Sequence, residues 1–181
     1  MKMLKKLLAV VLTGAMALTL LTACGGNAVT EKDIADALTD MAKAEGKNIT
    51  FTPRAEEREM ARKLAALLEG KATDQGSEDA IKEILGYDNG GANADNFVWW
   101  GAVLADKIGT SGQAFQIVQH LLNTDGDNDL ENREPKDNRH MGTALCKMRE
   151  GDDEDSKLVT VRIIVVTAEP KGQEPQHPGK A

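Results

Sequence analysis

Residues 158–167 read Leu158-Val159-Thr160-Val161-Arg162-Ile163-Ile164-Val165-Val166-Thr167. β-Branched residues fill the run, and its near-continuous apolarity is that of a strand buried on both faces. Apolar residues on both faces need cover above and below, so helices are expected on each side of the sheet. Just upstream, Gly142 to Met148 alternates like a second strand. The connection Glu150-Gly151-Asp152-Asp153-Glu154-Asp155 is a solvated turn. The chain is therefore expected to close on an antiparallel hairpin.

Upstream of the hairpin the pattern becomes helical. Thr30-Glu31-Lys32-Asp33 has the form of a capping box, with Asp in place of Glu or Gln. Ile34, Ala37, Leu38 and Met41 follow at helical spacing, which predicts a helix over 31–45 stopped by Gly46. After a connection over 47–51, Thr52-Pro53 supplies an N-cap and a first-turn proline for a helix over 53–69, ending at Gly70. Ser77 opens a shorter helix carrying Ile81, Ile84 and Leu85, closed by Gly86. Phe97 to Leu104, which holds both tryptophans, reads equally as a buried strand or the start of a helix. A further helix is predicted over 112–122, an irregular acidic segment over 123–139, and a proline-containing disordered tail over 170–181. Helices first and a hairpin last make the fold class α+β, an α/β/α sandwich around a small antiparallel sheet.

The chain's 181 residues suit one domain. Aromatics are only 3%, so the core must be built from Ala, Leu, Ile, Val and Met. Two cysteines exclude a disulfide framework, and a net charge of −7 argues against nucleic acid as a partner. Residues 1–23 carry Lys2, Lys5 and Lys6 ahead of an apolar stretch from Leu7 to Leu20, the layout of a secretory signal. The ending Leu21-Thr22-Ala23-Cys24 resembles the bacterial lipobox, in which the signal is cut before a lipidated cysteine. The reading is a signal peptide over 1–23, lipidation of Cys24, a tether over 24–29 and a single domain over 30–169. Two acyl chains give stable anchoring where one does not. Loss of three lysines leaves 19 Lys and Arg against 29 Asp and Glu, a net charge of −10. Such a domain is held to the membrane by its lipid alone, on the extracytoplasmic face. Cys146, in an alternating stretch, reads as a small half-buried apolar residue.

Leu38 to Ala65 runs as a helix, Gly46, the apolar Ile49 and an alanine-rich helix through Ala61. Asp95-Asn96-Phe97 follows, then a helical stretch closing His120-Leu121-Leu122-Asn123-Thr124, then Met141-Gly142-Thr143-Ala144 and Val159 to Val166. This layout is similar to the CAP, or SCP-like, superfamily of cysteine-rich secretory proteins, antigen 5 and pathogenesis-related proteins. That family has Glu-Asn-Ile, Trp-x-x-Ser-x-x-His and Ile-Gly-Val-Gly in the corresponding places. The resemblance covers nearly the whole mature chain, as layout more than identity. It implies a cleft where two histidines and two acidic residues hold a metal. Only Asp95 matches that tetrad by motif, and Asp127 stands where a histidine would be. The implied cleft is therefore altered, and metal-dependent chemistry is not expected from it.

Five residues are candidates for a ligand cleft: Asp95, Asn96, Trp99, Asp127 and His140. The tryptophans also read as core, since indoles dominate burial in an aromatic-poor protein. The acidic segment offers Asn123, Asp125, Asp127, Asp129 and Glu134 at the spacing of an EF-hand calcium loop. Against that stand Asn128 at the glycine position and Pro135 where a helix should leave. A solvated acidic loop is the simpler reading, with calcium as the one cofactor suggested. No nucleophile elbow or phosphate loop is present, and no Ser, His and acid sit in a triad context. The expected function is a membrane-anchored binding domain of the cell envelope without catalysis. The alternatives are an envelope hydrolase using Asp95, His140 and glutamates of the 53–69 helix, or a calcium-dependent adhesion module.

Overall fold

A computed structural model describes residues 29–72, 76–87, 90–106, 108–121, 134–151 and 155–172. Helix α1 spans Glu31–Ala44 and is opened by the expected capping box. Thr30 Oγ1 accepts the Asp33 N–H at 3.2 Å, and Asp33 Oδ2 accepts the Thr30 N–H at 2.9 Å. Strand β1 spans Thr50–Pro53, α2 Ala55–Leu68, α3 Glu78–Leu85 and β2 Phe97–Leu104. Helix α4 spans Thr110–Leu121, β3 Asn138–Arg149 and β4 Leu158–Ala168. The class is α+β, as the order of patterns predicts.

One sheet runs in the order β1-β3-β4-β2. The terminal hairpin is antiparallel from His140 opposite Thr167 to Arg149 opposite Leu158. Strand β2 lies antiparallel on the other side of β4, from Phe97 opposite Ala168 to Leu104 opposite Val161. Phe97 to Leu104 is thus a strand, its aromatic and β-branched side chains suited to both faces of a covered sheet.

The expected all-antiparallel sheet is a mixed one, because β1 pairs parallel with β3. The Thr50 N–H donates to the Asp137 carbonyl and the Arg54 N–H to the Met141 carbonyl, each at 2.9 Å. Thr52-Pro53 therefore ends an edge strand and does not cap a helix. A residue before proline favours extended geometry, and a proline at an edge forfeits no essential ladder bond. Arg54 is the N-cap of α2, extended at φ −134 and ψ 145, with no side-chain cap. Three further boundaries move: α4 starts at Thr110 and not 112, and β3 and β4 run past the expected 142–148 and 158–167. Pro170, placed at the start of a tail, bridges to Pro135, and the Lys171 N–H donates to the Glu134 carbonyl at 2.8 Å.

Alternation along β4 divides two cores. Ile164 and Val166 pack with Phe97, Trp99 and Met141 under α1 and α4. Ile163 and Val165 pack with Val98, Cys146 and Met148 under α2 and α3. Helices thus cover both faces, the sandwich that the doubly apolar strand requires. Helix α2 lies directly on β3 at Gly142, where a Cβ would stand 1.9 Å from the Arg58 nitrogen and 2.1 Å from the Glu57 carbonyl carbon. Only glycine lets the two backbones come this close.

Candidate functional site

Register brings the starts of β2 and β3 and the end of β4 to one end of the sheet. Thr52, His140, Thr167 and Val98 form one row across β1, β3, β4 and β2. Thr167 faces α2, and the polar centre of this end is built around Glu57 of that helix. Glu57 is fully buried. Its Oε2 accepts from Arg54 Nε at 2.7 Å, and Arg54 Nη2 donates to Oε1. Thr167 Oγ1 also donates to Oε1, at 2.5 Å. Burial pushes the carboxyl's pKa up, but the bonds from Arg54 and Thr167 outweigh it and hold Glu57 below the usual carboxylate range. The group is an ionised, fully engaged anion, with no proton to give and little basicity to offer. Thr167, at 1% exposure, is sealed from any substrate.

His140 stands beside Thr167, half-buried, and its Nδ1 is buried without a hydrogen-bond partner. Asp95 is exposed in the turn before β2, and Asn96 Nδ2 donates to Asn93 Oδ1 at 3.1 Å. Asn93 in turn donates to the Leu85 carbonyl at 2.8 Å, which ties this turn to the end of α3. Strand β4 lies between β2 and β3, so their backbones are about 9–10 Å apart. Asp95 and His140 share an end of the sheet but are not neighbours. Trp99 is 6% exposed, in the core on the opposite face from Thr167. The cleft candidates within the structure therefore do not converge on one point. Asp127, with Asn123, Asp125 and Asp129, lies outside the described residues. Glu134 is exposed and ion-paired with Lys171. Among the described residues no group of three or more His, Cys, Asp or Glu stands together to hold a metal.

On the α1 and α4 face of this end, Arg139 lies between two rings, 5.8 Å from the Phe51 centroid and 5.7 Å from that of Phe97. Burial draws its pKa down and the charge of Asp137 opposes that; its Nε and Nη1 have no hydrogen-bond partner. Further along, Arg162 reaches Gln113 Oε1 at 2.8 Å, Thr143 Oγ1 at 3.0 Å and the Val29 carbonyl at 2.8 Å. This buried arginine fastens the start of the domain to the central strand β4. Sequence reading does not single out Arg54, Glu57, Thr167 or Arg139. Only the Arg54/Glu57 pair leaves a local trace, as an i,i+3 ion pair at a helix start. The other partners are more than forty residues apart in the chain, and no spacing rule links them. No protein family, curated protein or solved structure matches this chain.

Proposed function

We propose that the chain is an extracytoplasmic lipoprotein, anchored through lipid on Cys24, whose domain binds a ligand or protein of the cell envelope without catalysis. The observation that carries the reading is the order of residues 1–24: lysines, an apolar run and Leu21-Thr22-Ala23-Cys24. No helix among the described residues is long and apolar enough to cross a membrane. The state of the polar end of the sheet supports the binding role. Its buried carboxylate is consumed by Arg54 and Thr167, and general acid–base work needs a group free to exchange protons with a substrate. The net charge of −10 after loss of residues 1–23 favours cationic or neutral partners. The likeness to a CAP-type domain with an altered cleft belongs to the same proposal, supported by the helices on both faces of the sheet.

Two measurements test it. Intact mass of the membrane-extracted protein should show loss of residues 1–23 and an added diacylglyceryl group, and Cys24→Ser should release the chain from membranes. A Cys24→Ser form that stays wholly membrane-bound overturns the anchor. Peptidase, esterase and glycosidase substrates, with and without zinc and calcium, should not be turned over. Turnover abolished by Asp95→Ala or His140→Ala makes the protein an enzyme instead.

A further inference from the structure

Glu57, Arg139 and Arg162 are the charged side chains buried among the described residues. Glu57 is held by Arg54 and Thr167, and Arg162 donates to three oxygen acceptors. Arg139 differs. It is 7% exposed, and its Nε and Nη1 are buried with no hydrogen-bond partner. A guanidinium keeps its charge in a protein, so its burial is not relieved by loss of a proton. A buried charge without hydrogen bonds is costly, and a folded chain that keeps one calls for a reason.

Sheet register builds its surroundings. Phe51 of β1 lies opposite Arg139, and Phe97 of β2 lies opposite Ala168. Continuing the β3/β4 pairing one residue from His140 and Thr167 sets Arg139 beside Ala168. Phe51, Arg139, Ala168 and Phe97 therefore form one row across the four strands. The small Ala168 lets the guanidinium reach between the rings, 5.8 Å from the Phe51 centroid and 5.7 Å from that of Phe97. The rings attract the cation through their π faces, but they give its N–H groups no lone pair in the manner of an oxygen. Neighbouring charges do not complete it either. Asp137 is exposed and acts on Arg139 through its charge, while Lys171 is paired with Glu134 and Lys136 with Glu169.

We propose that Arg139 is the cationic centre of a binding site for a small monocarboxylate with an apolar body. Carboxylate oxygens are the acceptors that its Nε and Nη1 groups lack, and bonds between arginine and a carboxylate are charge-assisted. The count of charges selects a monoanion. One guanidinium balances one negative charge, and a dianionic phosphate would set its second charge against Asp137. The row itself selects the body, because Phe51, Ala168 and Phe97 offer apolar surface and no polar side-chain atom. The net charge of −10 is spread over the surface and screened beyond about 8 Å at physiological salt, whereas the guanidinium acts at contact. The proposal depends neither on the lipid anchor nor on the absence of catalysis.

Both cores are built from residues between Val29 and Ala168, so the chain from residue 24 onward, carrying Cys24→Ser, is a folded test molecule. Benzoate and hexanoate serve as aromatic and aliphatic probes, with phosphate and chloride as controls at equal ionic strength. At least one of the two carboxylates should raise the melting midpoint saturably, by about 3–6 °C at ten times its Kd. Arg139→Met removes an uncompensated buried charge and keeps an unbranched side chain, so it should fold and lose the shift. No saturable shift with either carboxylate, a shift with phosphate alone, or a shift that survives in Arg139→Met overturns the proposal. Should Arg139→Met fail to fold, the side-chain NMR spectrum of the arginines decides. Arg139→Lys identifies the Arg139 Nε–H resonance by its disappearance. In the chain that keeps Arg139, that resonance should move saturably with the carboxylate; an unmoved resonance overturns the proposal.

Discussion

A methyl group at position 142 would stand 1.9 Å from the Arg58 nitrogen, and backbone is the least yielding of neighbours. Gly142→Ala should force α2 off β3 and cost at least about 1–3 kcal/mol, read as a fall in the urea midpoint. Glu57 makes a pH-dependent contribution. Its folded pKa lies below the ordinary carboxylate value, so its stabilisation is complete at neutral pH and is lost as pH falls below about 4. Glu57→Gln should cost about 1–3 kcal/mol at neutral pH and flatten the acid limb of the stability curve. An unchanged acid limb would show that other carboxylates govern it. Cys146 is 6% exposed, and burial, with a smaller effect from the charge of Glu69, pushes its thiol up to about 11. Reaction with a thiol reagent at neutral pH should follow the unfolding rate of the native protein and become immediate in denaturant.

Helix α3 has only eight residues, too few to persist alone in water, so its ends and its packing hold it. Ser77 accepts the Ala80 N–H at one end, and Gly86 closes the other in left-handed geometry at φ 64. Ser77→Ala should cost about 0.5–2 kcal/mol and raise amide exchange over 78–85 before any other element responds. These ends are legible because a cap is a contact between near neighbours in the chain. The α1 capping box is legible for the same reason. Strand β1 is not: four residues carry too little periodicity, and Thr52-Pro53 serves a strand end as well as a helix start. What settles it is β3 and the residue before it: the Asp137 carbonyl and the Met141 carbonyl receive the Thr50 and Arg54 N–H groups.

At the scale of the molecule, β4 belongs to both cores, with Ile163 and Val165 on one face and Ile164 and Val166 on the other. Neither core closes without that strand, so the domain should unfold in a single step. Ile163→Ala and Ile164→Ala, on opposite faces, should each lower the same transition by about 2–5 kcal/mol. Two separate denaturation steps, each sensitive to one substitution, would show two independent cores.

The doubly apolar run at 158–167, the helix ends at Thr30, Ser77 and Gly86, and the succession of helices before a closing hairpin were determined by the sequence itself. They rest on local periodicity and on contacts a few residues long, and they suffice for the class and the two-sided cover of the sheet. Only the tertiary structure decided the parallel pairing of β1, the close contact at Gly142, and the burial of Glu57 between Arg54 and Thr167. It also decided that Asp95 and His140 stand two strands apart and that Trp99 faces a core. Each of these depends on partners brought together from distant parts of the chain, and their proximity exists only once the sheet has set its register.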